Sequence, residues 1–581
     1  MIFTDDIRVA TEFLFNERQS FIILGLTGRT GSGCSTVSQL LGKTYEELAP
    51  IKPLRNNFVS NDERKYQIVY DYATVNWTKF EVIPLISIIT SFLLEYDYNH
   101  LISFLSQTLD NSIDLDFQAI LEDSIKVIFD DLHVKRIEVK NKLSRSEDAL
   151  KDEEVYQFFF ELLPQFSNKL KEVLNIYQKN YHTLVYQKIG NNIRTSGEAY
   201  GTDFNPKNIF KLSERTNTLI KILRKRNLIT KGKVLIVIDA IRNPYEATFF
   251  KDRYSAFYLF SVNTENKTRK QRLFNEKKLS IDEIERMDEQ EYPEKQKGVE
   301  KFISQNIQKC LEISDVHIYN PTIGNKDYTL LTQQLIRYVS LIMHPGLITP
   351  THLERCMQIA FNAKYNSGCL SRQVGAVVTD SENHIKAVGW NCTPTGQVPC
   401  NLRKYDALIN KDDKQAFSHY ELNNQKFCKI IESIKPKINK KVLKGRQFTY
   451  CFKDAINALQ GEKNQVHTRA LHAEENAFLQ IAKLGGVGLQ GGILFTTASP
   501  CELCSKKAYQ IGIKTVYYID QYPGISEDHI FRCGNNQPEI KLFHGAVGRA
   551  YNQFYTPIIP YKDELNMILG IEYIKPLSEK N

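Results

Sequence analysis

No apolar run in this 581-residue chain is long enough to span a bilayer. The longest, VIPLISIITSFLL from Val82 to Leu94, is broken by Pro84, and a spanning helix needs about 20 consecutive apolar residues. Its expected place is a buried helix, and no membrane partner is expected. The opening stretch MIFTDDIRVATEFLF has two early aspartates and no continuous apolar core, which argues against a secretory signal. Cysteine is sparse: eleven residues, an odd number and mostly scattered, exclude a disulfide framework and fit a reduced cytoplasm. No internal repeat is present, which excludes a solenoid. Charge of one sign is also in short supply, because +8 over 581 residues favours polyanionic partners only mildly. What remains, with 42% hydrophobic and 24% charged residues, is an ordinary soluble globular chain of roughly two to four domains.

Strand-like FIILGLTG, a glycine-rich loop and an apolar-periodic segment STVSQLLGKTYEEL follow one another near the start. KVLIVIDAIRNPYEA and FYLFSVN add two further buried-strand runs, so residues 1–345 are expected to form an α/β domain with a mostly parallel sheet. A helical insertion is expected from about Leu101 to Arg226. After a linker at Pro345 to Pro350, residues 351–581 alternate helix and strand again. A helix at Thr351 to Ala363 leads to QVGAVVTD and HIKAVGWN as strands, then an insertion at about 396–468. The helix HAEENAFLQIAKL, the strand GGILFTTA, a helix after Pro500 and the strand KTVYYID complete a second α/β domain.

The loop GLTGRTGSGCST nearly spells a phosphate-binding loop, G-x-x-x-x-G-K-[ST], with Cys34 where the lysine belongs. Gly28, Arg29, Thr30, Gly31, Ser32, Gly33, Cys34, Ser35 and Thr36 are the candidate nucleotide-binding residues. Backbone amides and the Ser35 hydroxyl can still bind phosphate and Mg2+, whereas cysteine cannot place positive charge on a transferring phosphoryl group. Asp239, at a strand end, stands where a metal-holding carboxylate is expected. Nucleotide binding is the preferred reading; a ligand-free turn and an active kinase are the alternatives.

The strongest signal is HAEENAF followed by SPCELC. His472, Cys501 and Cys504 offer one nitrogen and two sulfurs, a set that suits tetrahedral zinc and leaves a fourth position for water. Ser499 is expected to cap a helix and Pro500 to open it, so that both cysteines share its first turn. Glu474, two residues after His472, is placed to move protons without ligating the metal. H-x-E with P-C-x-x-C is the signature of zinc nucleobase deaminases.

SRQVGAVVTD, VGWNCTPTG, LHAEENAF and TTASPCELCSKKAYQIGIKTVYY together resemble successive blocks of the deoxycytidylate deaminases. Joined to a P-loop kinase-like amino-terminal domain and the tail GAVGRAYNQFYTP, they resemble two-domain anti-phage dCTP deaminases of bacteria. The resemblance implies a cytidine deaminase-like α/β/α carboxy-terminal domain and Zn2+. It also implies hydrolysis of the cytosine amino group in free deoxycytidine nucleotides, with release of ammonia. Glu474 would be the catalytic proton carrier and Asn391 a contact to sugar or base. A regulatory nucleotide in the amino-terminal domain, an inhibitory RNA or protein regulator and a homo-oligomer are further implied partners. The residues leave dCTP and dCMP open, and a nucleic-acid-editing deaminase and a nucleotide kinase remain the other two classes.

Three further features invite readings. KPKINKKVLKGR places six basic residues between Lys435 and Arg446, read as a solvated loop rather than a triphosphate or nucleic-acid site. Cys392, Cys400, Cys451 and His467 could make a second zinc site, against which their irregular spacing argues. Arg269 and Arg272 look like lid arginines of a kinase, with solvated helix charges as the alternative.

Overall fold

The structure, a computed structural model, describes residues 2–53, 57–108, 115–230, 232–292, 298–322, 327–462, 464–486, 488–520 and 525–571. It divides into two compact units, one of residues 1–349 with 549–581 and one of 350–548. The division after Thr349 falls in the expected linker. The tail differs from the expected 351–581 span, because everything after Gly548 belongs to the first unit. There Phe554 packs its ring on Tyr258 and its carbonyl accepts from the Gly346 N–H at 2.8 Å. Among the described residues no helix is long and apolar enough to cross a membrane.

In the first unit, β1 (Phe21–Thr27), β2 (Glu81–Ile83), β3 (Val234–Ile238), β4 (Phe257–Asn263) and β5 (Val316–Tyr319) pair in the order β5-β4-β1-β3-β2. Every pairing is parallel, as the sequence leads one to expect. β1 and β4 are almost wholly buried, which is why they read as unbroken apolar runs rather than alternating ones. The apolar-periodic segment after the loop forms two helices rather than one. Cys34–Leu41 ends at Gly42, and Thr44 then caps a separate turn, Tyr45–Leu48, through a reciprocal bond with Glu47. Among the described residues, helices dominate the interval between β2 and β3 from Leu85 to Thr230, wider than the expected 101–226, and a non-helical stretch at 197–210 interrupts them. Leu85–Leu93 is the buried helix expected of the longest apolar run.

The second unit holds β6 (Gly375–Thr379), β7 (Ile385–Trp390), β8 (Ile493–Ala498), β9 (Thr515–Asp520) and β10 (Glu539–Leu542) in the order β10-β9-β8-β6-β7. β6 runs antiparallel to β7 and β8, and β8, β9 and β10 run parallel. Alternation along the strands sends side chains to two layers of helices. Val377, Phe495 and Ile519 pack on Met357, Ala360 and Phe361 of the helix His352–Ala363. Ala376, Val378, Leu494 and Val516 pack on the helices that carry Ala473, Ala477 and Ala508. The result is an α/β/α sandwich.

The 396–468 insertion is folded rather than loop-like. Its short helices enclose Tyr405, Leu408, Phe417, Phe427, Ile431, Tyr450 and Ile456, and side chains of that size each stabilise by about 1.5–3 kcal/mol when buried. A buried Arg403–Glu421 ion pair, joined by the Tyr450 hydroxyl, crosses this core.

Candidate active site

β8 leads into Ser499, Pro500 and Cys501. The expected cap is displaced: Ser499 still belongs to the strand side, because its N–H donates to the Asp520 carbonyl at 2.8 Å and extends the β8–β9 ladder. Cys501 is therefore the N-cap of the helix Glu502–Gln510, and the Ser505 N–H closes the first turn on the Cys501 carbonyl at 2.8 Å. Cys504 lies in that same turn, so the two sulfurs still face one point. Opposite them, His472 is the N-cap of the helix Ala473–Leu484 and Glu474 sits in its first turn. β7 fixes that helix closely. A Cβ on Gly389 would lie 2.2 Å from the Ala473 carbonyl oxygen and 2.6 Å from the Ala477 nitrogen, so only glycine permits the approach. Asn476 then donates its side-chain amide to the Trp390 carbonyl at 2.9 Å.

The three expected metal ligands converge. His472 Nδ1 is 3.3 Å from Cys501 Sγ and 3.4 Å from Cys504 Sγ, and all three donor atoms lie within 4.8 Å of one another. Hydrogen bonding from Cys504, reinforced by His472 against the effect of burial, holds the Cys501 thiol down at about 3. The same bond, with burial, pushes Cys504 far above the ordinary thiol range. The hydrogen bond to Cys501 raises His472, and burial raises the carboxyl of Glu474, which is 4% exposed. One imidazole nitrogen with two cysteine sulfurs is a soft donor set that fits zinc.

Asn391 lies at the end of β7 with its amide engaged at both ends. Oδ1 accepts from the Val374 N–H at 2.8 Å and Nδ2 donates to the Arg372 carbonyl at 2.7 Å. The second zinc set is not assembled: among the described residues His472, Cys501 and Cys504 are the only group of three or more His, Cys, Asp or Glu donors close enough to hold a metal. His467 instead bonds Gln460 at 3.1 Å. The basic run from Lys435 to Arg446 lies largely exposed on the insertion, as a solvated segment should.

In the first unit, residues 28–33 join β1 to the helix Cys34–Leu41, with Gly31 and Gly33 in the left-handed region at φ 87° and 109°. Asp239 follows β3, the neighbour of β1, and accepts from the Leu85 N–H at 2.8 Å. Burial raises its carboxyl to about 6 and the Cys34 thiol to about 11. Arg269 and Arg272 are not solvated. Arg269 donates to the Thr30 carbonyl at 3.3 Å, and Arg272 donates to the Gly31 and Ser32 carbonyls at 3.1 and 3.2 Å. Asn320 adds a bond to the Ser32 carbonyl at 2.8 Å. Sequence reasoning missed Arg242, Glu291 and Asn320, of which only Arg242 lay in a singled-out stretch, DAIRNPYE.

Comparison with known proteins bears on the second unit. The signature described as "Cytidine and deoxycytidylate deaminase zinc-binding region" matches residues 350–520. The deoxycytidylate deaminase of Enterobacteria phage T2 is 31% identical over 169 residues, covering 29% of this chain and 78% of the phage protein. This chain belongs to the deoxycytidylate deaminase family. A second member, the deoxycytidylate deaminase of Enterobacteria phage T4, is 31% identical over 29% of this chain and 76% of its own length. The solved dCMP deaminase of cyanophage S-TIM5, in complex with dCMP and dUMP, aligns over 34% of this chain and 99% of its own at 25% identity, with a TM-score of 0.21. These relatives match about a third of the chain or less.

Proposed function

We propose that this chain hydrolyses the amino group of free deoxycytidine nucleotides, dCTP in preference to dCMP, releasing ammonia and a deoxyuridine nucleotide. The observation that carries the reading is the convergence of His472, Cys501 and Cys504 beside the buried Glu474. Bound zinc supplies Lewis acidity that makes water a nucleophile near neutral pH. Glu474 accepts the proton that the attacking water gives up. It passes that proton to the ring nitrogen of cytosine and assists departure of the amine as ammonia. Burial keeps the Glu474 carboxyl away from competing solvent, so the proton it holds stays within the site. Asn391, whose amide also ties down the 372–374 segment, is the contact to the sugar or base.

The glycine-rich loop is read as a nucleotide-binding control element without rapid phosphoryl transfer, because Cys34 leaves the loop without its lysine charge. In a cytoplasmic homo-oligomer, draining dCTP would starve a replicating phage; the two-domain resemblance supports that role. Ammonia release from dCTP, dCMP and single-stranded oligonucleotides by the purified protein tests the proposal. Turnover of dCTP above dCMP, with oligonucleotides inert, is expected. Conversion of cytosine in oligonucleotides with free nucleotides untouched would overturn it in favour of nucleic-acid editing.

A further inference from the structure

The glycine-rich loop already holds an anion, and it comes from the chain itself. Glu291 ends the helix Ile281–Glu291 and is fully buried. Both of its carboxylate oxygens accept from the Thr30 N–H, at 3.0 and 3.1 Å, and the Thr30 hydroxyl donates to Oε1 as well. Arg242, in the segment after β3, donates to the same oxygen at 2.7 Å and to Thr30 Oγ1 at 3.2 Å. A backbone amide, a hydroxyl and a guanidinium around two carboxylate oxygens make the donor set that a phosphate oxygen pair would take. Arg242 provides there the fixed positive charge that Cys34 does not.

The helix that delivers Glu291 contributes to a small core distinct from the main core of its unit. With the preceding helix Asn266–Asn275 it has a small core of its own, Leu273, Leu279, Ile284 and Met287. Asp288 ties it by ion pairs to Arg29 of the loop and to Arg269 of the preceding helix, each at 2.7 Å. Arg29 also lies over the Tyr292 ring, 4.8 Å from its centroid. Ion pairs and a cation–π contact can be exchanged for ligand contacts without exposing a large core.

We propose that the Thr30 amide and hydroxyl with Arg242 form a phosphate position of the glycine-rich loop, and that Glu291 occupies it as an internal competitor which a nucleoside triphosphate must displace. The proposal rests on the nucleotide-binding reading of the loop. Occupancy would then be coupled to release of the helix Ile281–Glu291, and apparent affinity would be lowered by the fraction of molecules in which Glu291 sits in place.

Binding of MgATP and of inorganic tripolyphosphate to the full-length protein, followed by calorimetry and by amide hydrogen exchange, tests this. Glu291→Gln, which keeps the side-chain shape and removes the charge, should bind tripolyphosphate at least tenfold more tightly than the wild type. In the wild type, MgATP should slow exchange in residues 28–36 and speed it in 281–291. Equal or weaker binding by Glu291→Gln, or unchanged exchange in 281–291 on ligand binding to residues 28–36, overturns the competitor while leaving the loop a nucleotide site. Absence of binding and of protection at 28–36 in both proteins overturns the nucleotide reading together with the competitor.

Discussion

Cys501 Sγ lies 3.3 Å from His472 Nδ1 across a sequence separation of 29 residues. Two helix starts, one after β8 and one held against β7 by Gly389, bring the two atoms together, and Glu474 is carried along on the second. Replacing Glu474 should therefore separate proton transfer from metal binding. Glu474→Gln is expected to lose about 10²–10⁴-fold in turnover while keeping zinc. Cys501→Ser and Cys504→Ser should lose zinc and activity together, since a hydroxyl is a poor zinc ligand. Metal analysis beside an ammonia assay reads both, and near-normal turnover by Glu474→Gln would remove it from the chemistry.

Gly389→Ala asks how tightly the helix that carries Glu474 is held. The added methyl would meet backbone atoms of Ala473 and Ala477 rather than a flexible side chain, so the helix Ala473–Leu484 must shift. Overpacking of this kind costs about 1–3 kcal/mol, and a displacement of about 1 Å can cost on the order of 10²-fold in rate. A lower unfolding midpoint with reduced kcat is expected. Wild-type stability and turnover would show that the contact yields freely.

The convergence of the candidate metal set was legible in the sequence because each half of the set is local. Cys501 and Cys504 share one helical turn and His472 and Glu474 another, so spacing alone carries their relation. Ser499 misled as a cap because its N–H is drawn into the β8–β9 ladder, a tertiary choice that cap preference does not encode. The parallel sheet was readable from the buried runs of β1, β3 and β4, whereas β2 spans only three residues and leaves no periodic trace. Glu291 reaches Thr30 across 261 positions from an otherwise ordinary acidic helix, and nothing local marks it. Cys392, Cys400, Cys451 and His467 show the reverse case: suitable residue types whose donor atoms do not gather as a set within metal-binding distance.

Asn391 should act on the fold as well as on the substrate. Asn391→Asp keeps the shape but sets a carboxylate oxygen against the Arg372 carbonyl in place of the donated bond at 2.7 Å. Leaving that half-buried acceptor unsatisfied should cost about 1 kcal/mol and raise KM more than it lowers kcat, because the 372–374 segment loosens. Thermal unfolding with and without nucleotide, beside steady-state kinetics, measures this. Unaltered stability with a pure loss of substrate affinity would instead make Asn391 a substrate contact alone.

Acid should loosen the first unit through Glu95. Burial by itself would raise that carboxyl, but Arg215 and Arg136 outweigh it and hold the group at about 2 from an ordinary 4.5. Their guanidinium nitrogens each lie 2.6 Å from Oε1, and the carboxylate is 20% exposed. The folded value is depressed, so the network's stabilisation is complete above the ordinary value of 4.5 and disappears as pH falls toward 2. The shift corresponds to a contribution on the order of 3 kcal/mol at neutral pH. Glu95→Gln should thus be markedly less stable than the wild type at pH 7, and the difference should close as the pH approaches 2. Hydrogen exchange of the helices Val127–Arg145 and Lys211–Thr230, which carry Arg136 and Arg215, reads this unit separately from the deaminase unit. A stability difference that stays constant with pH would show that the carboxylate's charge contributes nothing to holding these helices together.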